Sequence, residues 1–251
     1  MLFAAGKGTR MRPLTDRMPK PLVPVAGRAL IDHALALADE AGIGTIVANI
    51  HHMSDMMRRH LAARPDVLLS DETAELLETG GGLRRALPLL GEGPVLALNT
   101  DAVWTGPNPL ARLRAAWDPA RMEALLLLVP RERATGHVGA GDFLIDDQGC
   151  LTRGPGHVYT GAQVIRTDRL ASVGQAAFSI GRLWDDMAAE GRQLERHIAI
   201  DIQHSSVIAP HHAHPVALHC VRHAGGVQPF ADLRPRLGIA IDHPGHLEER
   251  N

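Results

Sequence analysis

The sequence is poor in the features that mark most specialised protein classes. Its 251 residues include only two cysteines, Cys150 and Cys220. Their spacing forms no metal or redox motif, which argues against a disulfide scaffold and leaves unpaired thiols in a reducing compartment as the expectation. No sign of charge dominates. With 26 basic residues against 28 acidic ones the chain has no global attraction to nucleic acid, so any anion binding must come from local placement. The longest apolar run, Ala124 to Pro130, is far too short to cross a bilayer. No signal peptide precedes the first glycine-rich stretch, and a cytoplasmic chain that engages neither membrane nor nucleic acid is expected. There is no repeat of fixed period, and the length suits one large domain.

What the chain does have is concentrated near its start. A short apolar stretch, Leu2 to Ala5, runs directly into Gly6-Lys7-Gly8-Thr9-Arg10-Met11-Arg12-Pro13-Leu14-Thr15, followed by Pro19-Lys20-Pro21-Leu22-Val23-Pro24-Val25. Glycine lets a chain turn tightly and approach a ligand without a Cβ in the way. Consecutive backbone N–H groups and the side chains of Lys7, Arg10 and Arg12 can then face anionic oxygens. A nucleotide or a sugar phosphate is the expected ligand. Two commoner phosphate motifs are absent here. The P-loop needs its lysine after the second glycine, whereas Lys7 lies between the two, and the dinucleotide fingerprint needs a third glycine where Met11 stands.

Apolar runs of strand length alternate with segments of helical period, the pattern of an α/β fold with a Rossmann-like, mostly parallel sheet flanked by helices. Strands are expected at Leu2–Ala5, Thr45–Ile50, Val67–Leu69, Pro94–Asn99, Ala124–Val129, Asp142–Ile145 and Val158–Ile165. Helices are expected from Leu30 to Ala41 with Gly42 as a left-handed cap, from a Ser54 cap to Ala63, and over Gly80–Leu90, Pro109–Trp117 and Ser179–Glu190. The run ending in Asn99 is continuously apolar, as for a strand buried on both faces. Asn99, Thr100 and Asp101 therefore emerge at its carboxyl end, the edge on which open α/β sheets bind ligands and on which the first loop also lies.

The stretch from Ala4 to Val25 resembles, almost residue for residue, the signature of the sugar-1-phosphate nucleotidyltransferases, and the resemblance extends over roughly residues 2 to 190. The resemblance implies the nucleotide-diphospho-sugar transferase fold and a reaction joining a nucleoside triphosphate to a sugar 1-phosphate with release of pyrophosphate. It implies that Ala5, Gly6, Lys7, Gly8 and Thr9 surround the triphosphate, with Arg10 on the leaving pyrophosphate. Lys20 would meet the α-phosphate or the attacking sugar phosphate, and Asp101 would hold Mg²⁺. Glu78, Thr79, Gly80 and Asn99 would bind the nucleotide, and Asp142 and Gly161 would face the sugar. Leu77-Glu78-Thr79-Gly80-Gly81-Gly82 in particular looks like the subgroup that acts on N-acetylmuramate α-1-phosphate with UTP, in cell-wall sugar recycling. Taken singly, Lys20 and Asp101 read as solvated surface charges and a glycine pair as an ordinary turn. Their occurrence together, in this order, favours the site.

Three departures from the family pattern stand out. The first strand is several residues short, Thr100 replaces the glycine of the usual Asn-Gly-Asp, and the Trp-x-Asp-Val-Gly-x-Pro segment bearing a second metal-binding aspartate is missing. Only Asp201 and Asp242 could substitute for that aspartate. The chain accordingly divides into a catalytic domain over residues 1–190 and an atypical tail over 191–251, where nine of the fifteen histidines fall. A reading-frame slip after about Gly191, or loose packing, would account for that tail, and His211-His212-x-His214 lacks the spacing and partners of a metal site. Two alternatives follow. One is a glucose- or mannose-1-phosphate nucleotidyltransferase using dTTP, UTP or GTP, and the other is a non-catalytic nucleotide-sugar sensor.

Overall fold

A computed structural model describes residues 1–134, 137–146, 151–189, 200–201, 206–208 and 217–222. After strand β1 (Leu2–Phe3) the glycine-basic loop folds as three short 3-10 turns, and a hairpin of β2 (Pro24–Val25) and β3 (Arg28–Ala29) leads into α1 (Leu30–Glu40). Then follow β4 (Ile46–Ile50), α2 (Ser54–Leu61), β5 (Val67–Asp71), α3 (Glu78–Leu90), β6 (Val95–Asn99), β7 (Val103–Thr105), α4 (Pro109–Ala116) and β8 (Met122–Pro130). The chain continues through β9 (Phe143–Ile145), β10 (Leu151–Arg153), β11 (His157–Ile165) and α5 (Gly181–Ala189). Three short strands beyond Gly191 complete the described residues: β12 (Ile200–Asp201), β13 (Ser206–Ile208) and β14 (Ala217–Arg222).

The main sheet runs β12-β14-β8-β11-β6-β1-β4-β5 and is mixed in direction. From β5 to β6 the strands are parallel. Beyond β6, β11, β8 and β14 pair antiparallel. Both faces are covered. Leu125 and Leu127 of β8 join a core with α1, α2 and α4, while Ala124, Leu126 and Leu128 join a second core with α3 and α5. That is why β8 reads as an unbroken apolar run rather than an alternating one.

Local chemistry sets most boundaries. Gly42 has φ 63°, and α1 ends where the Gly42 and Ile43 N–H groups donate to Asp39 and Ala38. Ser54, expected as a cap, is instead the first residue of α2. Met53 takes the cap position in the left-handed region at φ 50°, with no side-chain cap. The chain leaves β1 through α1 toward β4 and β5, then returns through α3 to β6 on the other side of β1. The carboxyl ends of β1 and β6 are therefore the topological switch point, where the connections part and a crevice opens.

Candidate active site

A cavity of about 320 Å³ lies at that switch point. Phe3 to Gly6 form one wall as they leave β1, Asn99 to Asp101 leave β6 beside them, and Leu76, Glu78 and Thr79 enclose the third side. Arg10 and Lys20 reach in from the loop. The decisive contact is between Lys20 Nζ and Asp101 Oδ2, 2.5 Å apart and 81 residues apart in sequence. Both side chains stay partly exposed, so the pair is accessible from the cleft.

The loop is held by its own backbone. Gly8 has φ 62°, and its carbonyl accepts from the Met11 N–H and from Thr15 Oγ1, each at 2.9 Å. A Cβ on Gly8 would lie 2.8 Å from Thr15 Cγ2 and 2.9 Å from Lys20 Cβ, so the glycine is what allows Lys20 to sit so close to the turn. Gly6 is exposed with nothing within 4 Å of its Cβ position. Arg12 pairs with Asp16 at 3.2 Å, leaving Lys7 and Arg10 of the three cations expected to face anionic oxygens.

Thr100, which stands where the family pattern has glycine, is used structurally. Its hydroxyl donates to the Phe3 carbonyl at 2.9 Å, tying the end of β6 to the end of β1. Beneath the floor runs a polar link that sequence reading did not identify. The Ala4 N–H donates to Asn49 Oδ1 (2.7 Å), Asn49 Nδ2 donates to Glu72 Oε1 (2.7 Å), and the Leu77 N–H donates to Glu72 Oε2 (3.2 Å). Burial pushes the Glu72 carboxyl up from its ordinary value, and its Asn49 and Leu77 donors pull it back. An Asn inside an apolar strand and a Glu just past the next one was the only signal available.

The residues expected on the nucleotide side divide. Glu78 lines the cavity, exposed, with its backbone in the left-handed region at φ 59°, a conformation that costs a side-chain-bearing residue about 1–2 kcal/mol. Thr79 lines it too, while its Oγ1 accepts from the Ile180 N–H at 2.9 Å. Gly80 does not line the cavity. Its N–H donates to the Phe178 carbonyl at 2.8 Å, and a Cβ there would meet the Phe178 ring at 2.4 Å. The glycine run thus seats α3 against the 176–178 segment. Arg84 secures that segment, donating to the carbonyls of Val173, Gln175 and Ala176 and stacking 5.0 Å from the Phe178 ring centre.

The two residues expected to face the sugar also separate. Gly161 sits at φ 89°, where the β11–β8 register shifts, and a Cβ there would lie 2.7 Å from Asn99 Nδ2. It brings β11 against the cleft residue Asn99. Asp142 is a hairpin anchor outside the cavity lining, its Oδ2 accepting from the Tyr159 N–H at 2.8 Å. Tyr159 is half-buried, and desolvation of its phenol, followed by the negative charge of Asp101, pushes that group up.

Among the described residues no group of three or more His, Cys, Asp or Glu could form a metal cage, and no helix is long and apolar enough to cross a membrane. Of the two candidates for a second metal aspartate, Asp201 is described through the backbone of β12 alone, and Asp242 lies outside the described residues, as do Cys150 and the 211–214 histidines.

Comparison with known proteins gives a consistent result. A model of the MobA-like NTP transferase domain matches residues 1–225. The chain is 41% identical over 205 residues to the N-acetylmuramate alpha-1-phosphate uridylyltransferase of Caulobacter vibrioides, covering 76% of this chain and 85% of that one. It is 35% identical over 201 residues to the protein of the same name from Neisseria meningitidis serogroup B, covering 77% and 85%. Among solved structures, HddC from Yersinia pseudotuberculosis complexed with GMP-PN superposes with a TM-score of 0.58 at 17% identity, over 71% of this chain and 80% of that one. The inositol-1-phosphate CTP transferase from T. maritima gives 0.58 at 14% identity, over 76% and 80%. These two show the fold.

Proposed function

The chain belongs to the MobA-like NTP transferase domain family, and from that premise we propose that it transfers the uridylyl group of UTP to N-acetylmuramate α-1-phosphate, releasing pyrophosphate, in recycling of cell-wall sugars. The observation that carries the reading is the meeting of Lys20 and Asp101 at 2.5 Å inside the crevice between β1 and β6. The naming of the two relatives, at 41% and 35% identity, supports the base and the sugar.

The reaction asks for alignment and charge neutralisation rather than for a protein nucleophile. A phosphate oxygen of the sugar phosphate attacks the α-phosphorus in line; that P–O bond forms as the bond to the β-phosphate oxygen breaks, and pyrophosphate leaves with the electron pair. Backbone N–H groups of the Gly6–Thr9 loop and the Arg10 guanidinium hold the β- and γ-phosphates. Lys20, seated close against Gly8, offsets the charge that builds where two anions are pressed together. Glu78, Thr79 and Asn99 bound the nucleoside side, and Gly161, packed against Asn99, faces the acceptor. Asp101 would hold Mg²⁺, which fits one accessible carboxylate supplemented by substrate phosphates and water, and which when bound would neutralise phosphate charge.

Pyrophosphate release, measured over a panel of UTP, dTTP, GTP and CTP against N-acetylmuramate, glucose and mannose 1-phosphates, tests the proposal. The expected result is turnover with UTP and N-acetylmuramate 1-phosphate; turnover only with GTP and mannose 1-phosphate would sink it. Asp101→Asn is expected to lower kcat by about a hundredfold or more while the protein stays folded. The missing Trp-x-Asp-Val-Gly segment favours a second reading, a nucleotide-sugar sensor. UTP binding with no turnover at any Mg²⁺ concentration would establish that reading instead.

A further inference from the structure

The buried link under the cleft has a fixed polarity. Its two ends are backbone N–H groups, those of Ala4 and Leu77, and a backbone N–H can only donate. Asn49 must therefore turn its oxygen toward Ala4, which turns its NH₂ toward Glu72. Glu72 then has to accept on both oxygens, from Asn49 Nδ2 and from Leu77. A chain with a donor at each end needs one member that only accepts, and that member is the carboxylate. Glu72 is 1% exposed and Asn49 2%, so neither can exchange its partner for bulk water. Gly82 leaves the room, because a Cβ there would lie 2.6 Å from Glu72 Oε1 and 2.9 Å from Asn49 Nδ2. His51 adds a tether, its Nδ1 2.6 Å from the Glu72 carbonyl.

The link's ends are the two sides of the cleft. Ala4 opens the phosphate loop, and Leu77 immediately precedes Glu78 and Thr79. We propose that Glu72, acting through Asn49, is a positioning residue that sets the separation between the phosphate loop and the Leu77–Thr79 wall, and hence the fit of a nucleoside triphosphate across them. The identity of that ligand rests on the function proposed above.

The polarity argument supplies its own test. Glu72→Gln aims an amide donor either at the Asn49 amide or at the Leu77 N–H, and Asn49→Asp sets carboxylate against carboxylate. The double variant Asn49→Asp/Glu72→Gln moves the pure acceptor to position 49 and the donor to position 72, and all three hydrogen bonds re-form with the same volume and charge. Each single variant is expected to weaken UTP binding by about tenfold or more in calorimetry. Each is also expected to speed hydrogen exchange at both the Ala4 and Leu77 amides, including the one its own side chain does not touch. The double variant is expected to return UTP affinity to within about threefold of the unaltered chain, with both amides protected again. A double variant as weak as the worse single, or single variants that bind UTP normally, would overturn the proposal. If a single variant does not fold, the double against the unaltered chain still decides. Should the unaltered chain bind no UTP in the presence of Mg²⁺, the functional reading falls, and the exchange pattern alone judges the link.

Discussion

Two glycine-rich segments border the cleft, and they use the same residue for opposite ends. In the loop after β1, Gly6 stands in open space with no atom within 4 Å of its Cβ position. At the start of α3, Gly80, Gly81 and Gly82 are buried, and a Cβ would meet the Phe178 ring at 2.4 Å, the Ala176 carbonyl oxygen at 2.3 Å and Glu72 Oε1 at 2.6 Å, respectively. At Gly6 the backbone is left open to the cleft. The second segment removes side chains so that a helix end can press onto the protein itself. A glycine run beside a site is therefore not in itself a ligand cradle, and only the surrounding packing tells the two apart.

Substitutions can break this contrast. Gly81→Ala should have the largest effect on folding: the neighbour it strikes is backbone, which cannot swing aside, and overpacking outweighs the helix-propensity gain, for a loss of about 1–3 kcal/mol read from urea denaturation. If Gly81→Ala stabilised the protein, the packing reading of the α3 glycines would be wrong. Gly8→Ala should cost less, about 1–2 kcal/mol for its left-handed backbone, but should also lower kcat because it pushes on Lys20. Gly6→Ala should leave stability within about 0.5 kcal/mol while raising KM for UTP, since its methyl group would enter the space proposed for the triphosphate. A large drop in melting temperature for Gly6→Ala with an unchanged KM would erase the distinction between the two segments.

Much of this was legible because local rules wrote it. The unbroken apolar run of β6 announced a strand covered on both faces, and Asn99-Thr100-Asp101 at its end pointed to the cleft. Gly42 marked the end of α1. What stayed hidden depends on partners far away in sequence. An apolar run looks the same whether its neighbour runs parallel or antiparallel, so the reversal at β11 and β8 left no trace. Glu72 gave no signal of its own, since nothing local says that Asn49, 23 residues earlier, will be its buried partner. Gly80 looks like a nucleotide contact in the sequence because Phe178, whose carbonyl accepts the N–H groups of Gly80 and Gly81, comes nearly a hundred residues later. At the start of α2 the cap position falls on Met53, one residue before the Ser54 that the sequence suggested.

The contact between Lys20 and Asp101 also governs what the cleft admits. A polyphosphate that claims the lysine on its own strips the aspartate of its counter-charge, and much of what it gains on one group is lost on the other. If a cation arrives with the phosphate, each protein group trades one partner for another at little cost. Admission is thus by matched ions, and the same couple that poises the lysine discourages free phosphates from lodging in its place.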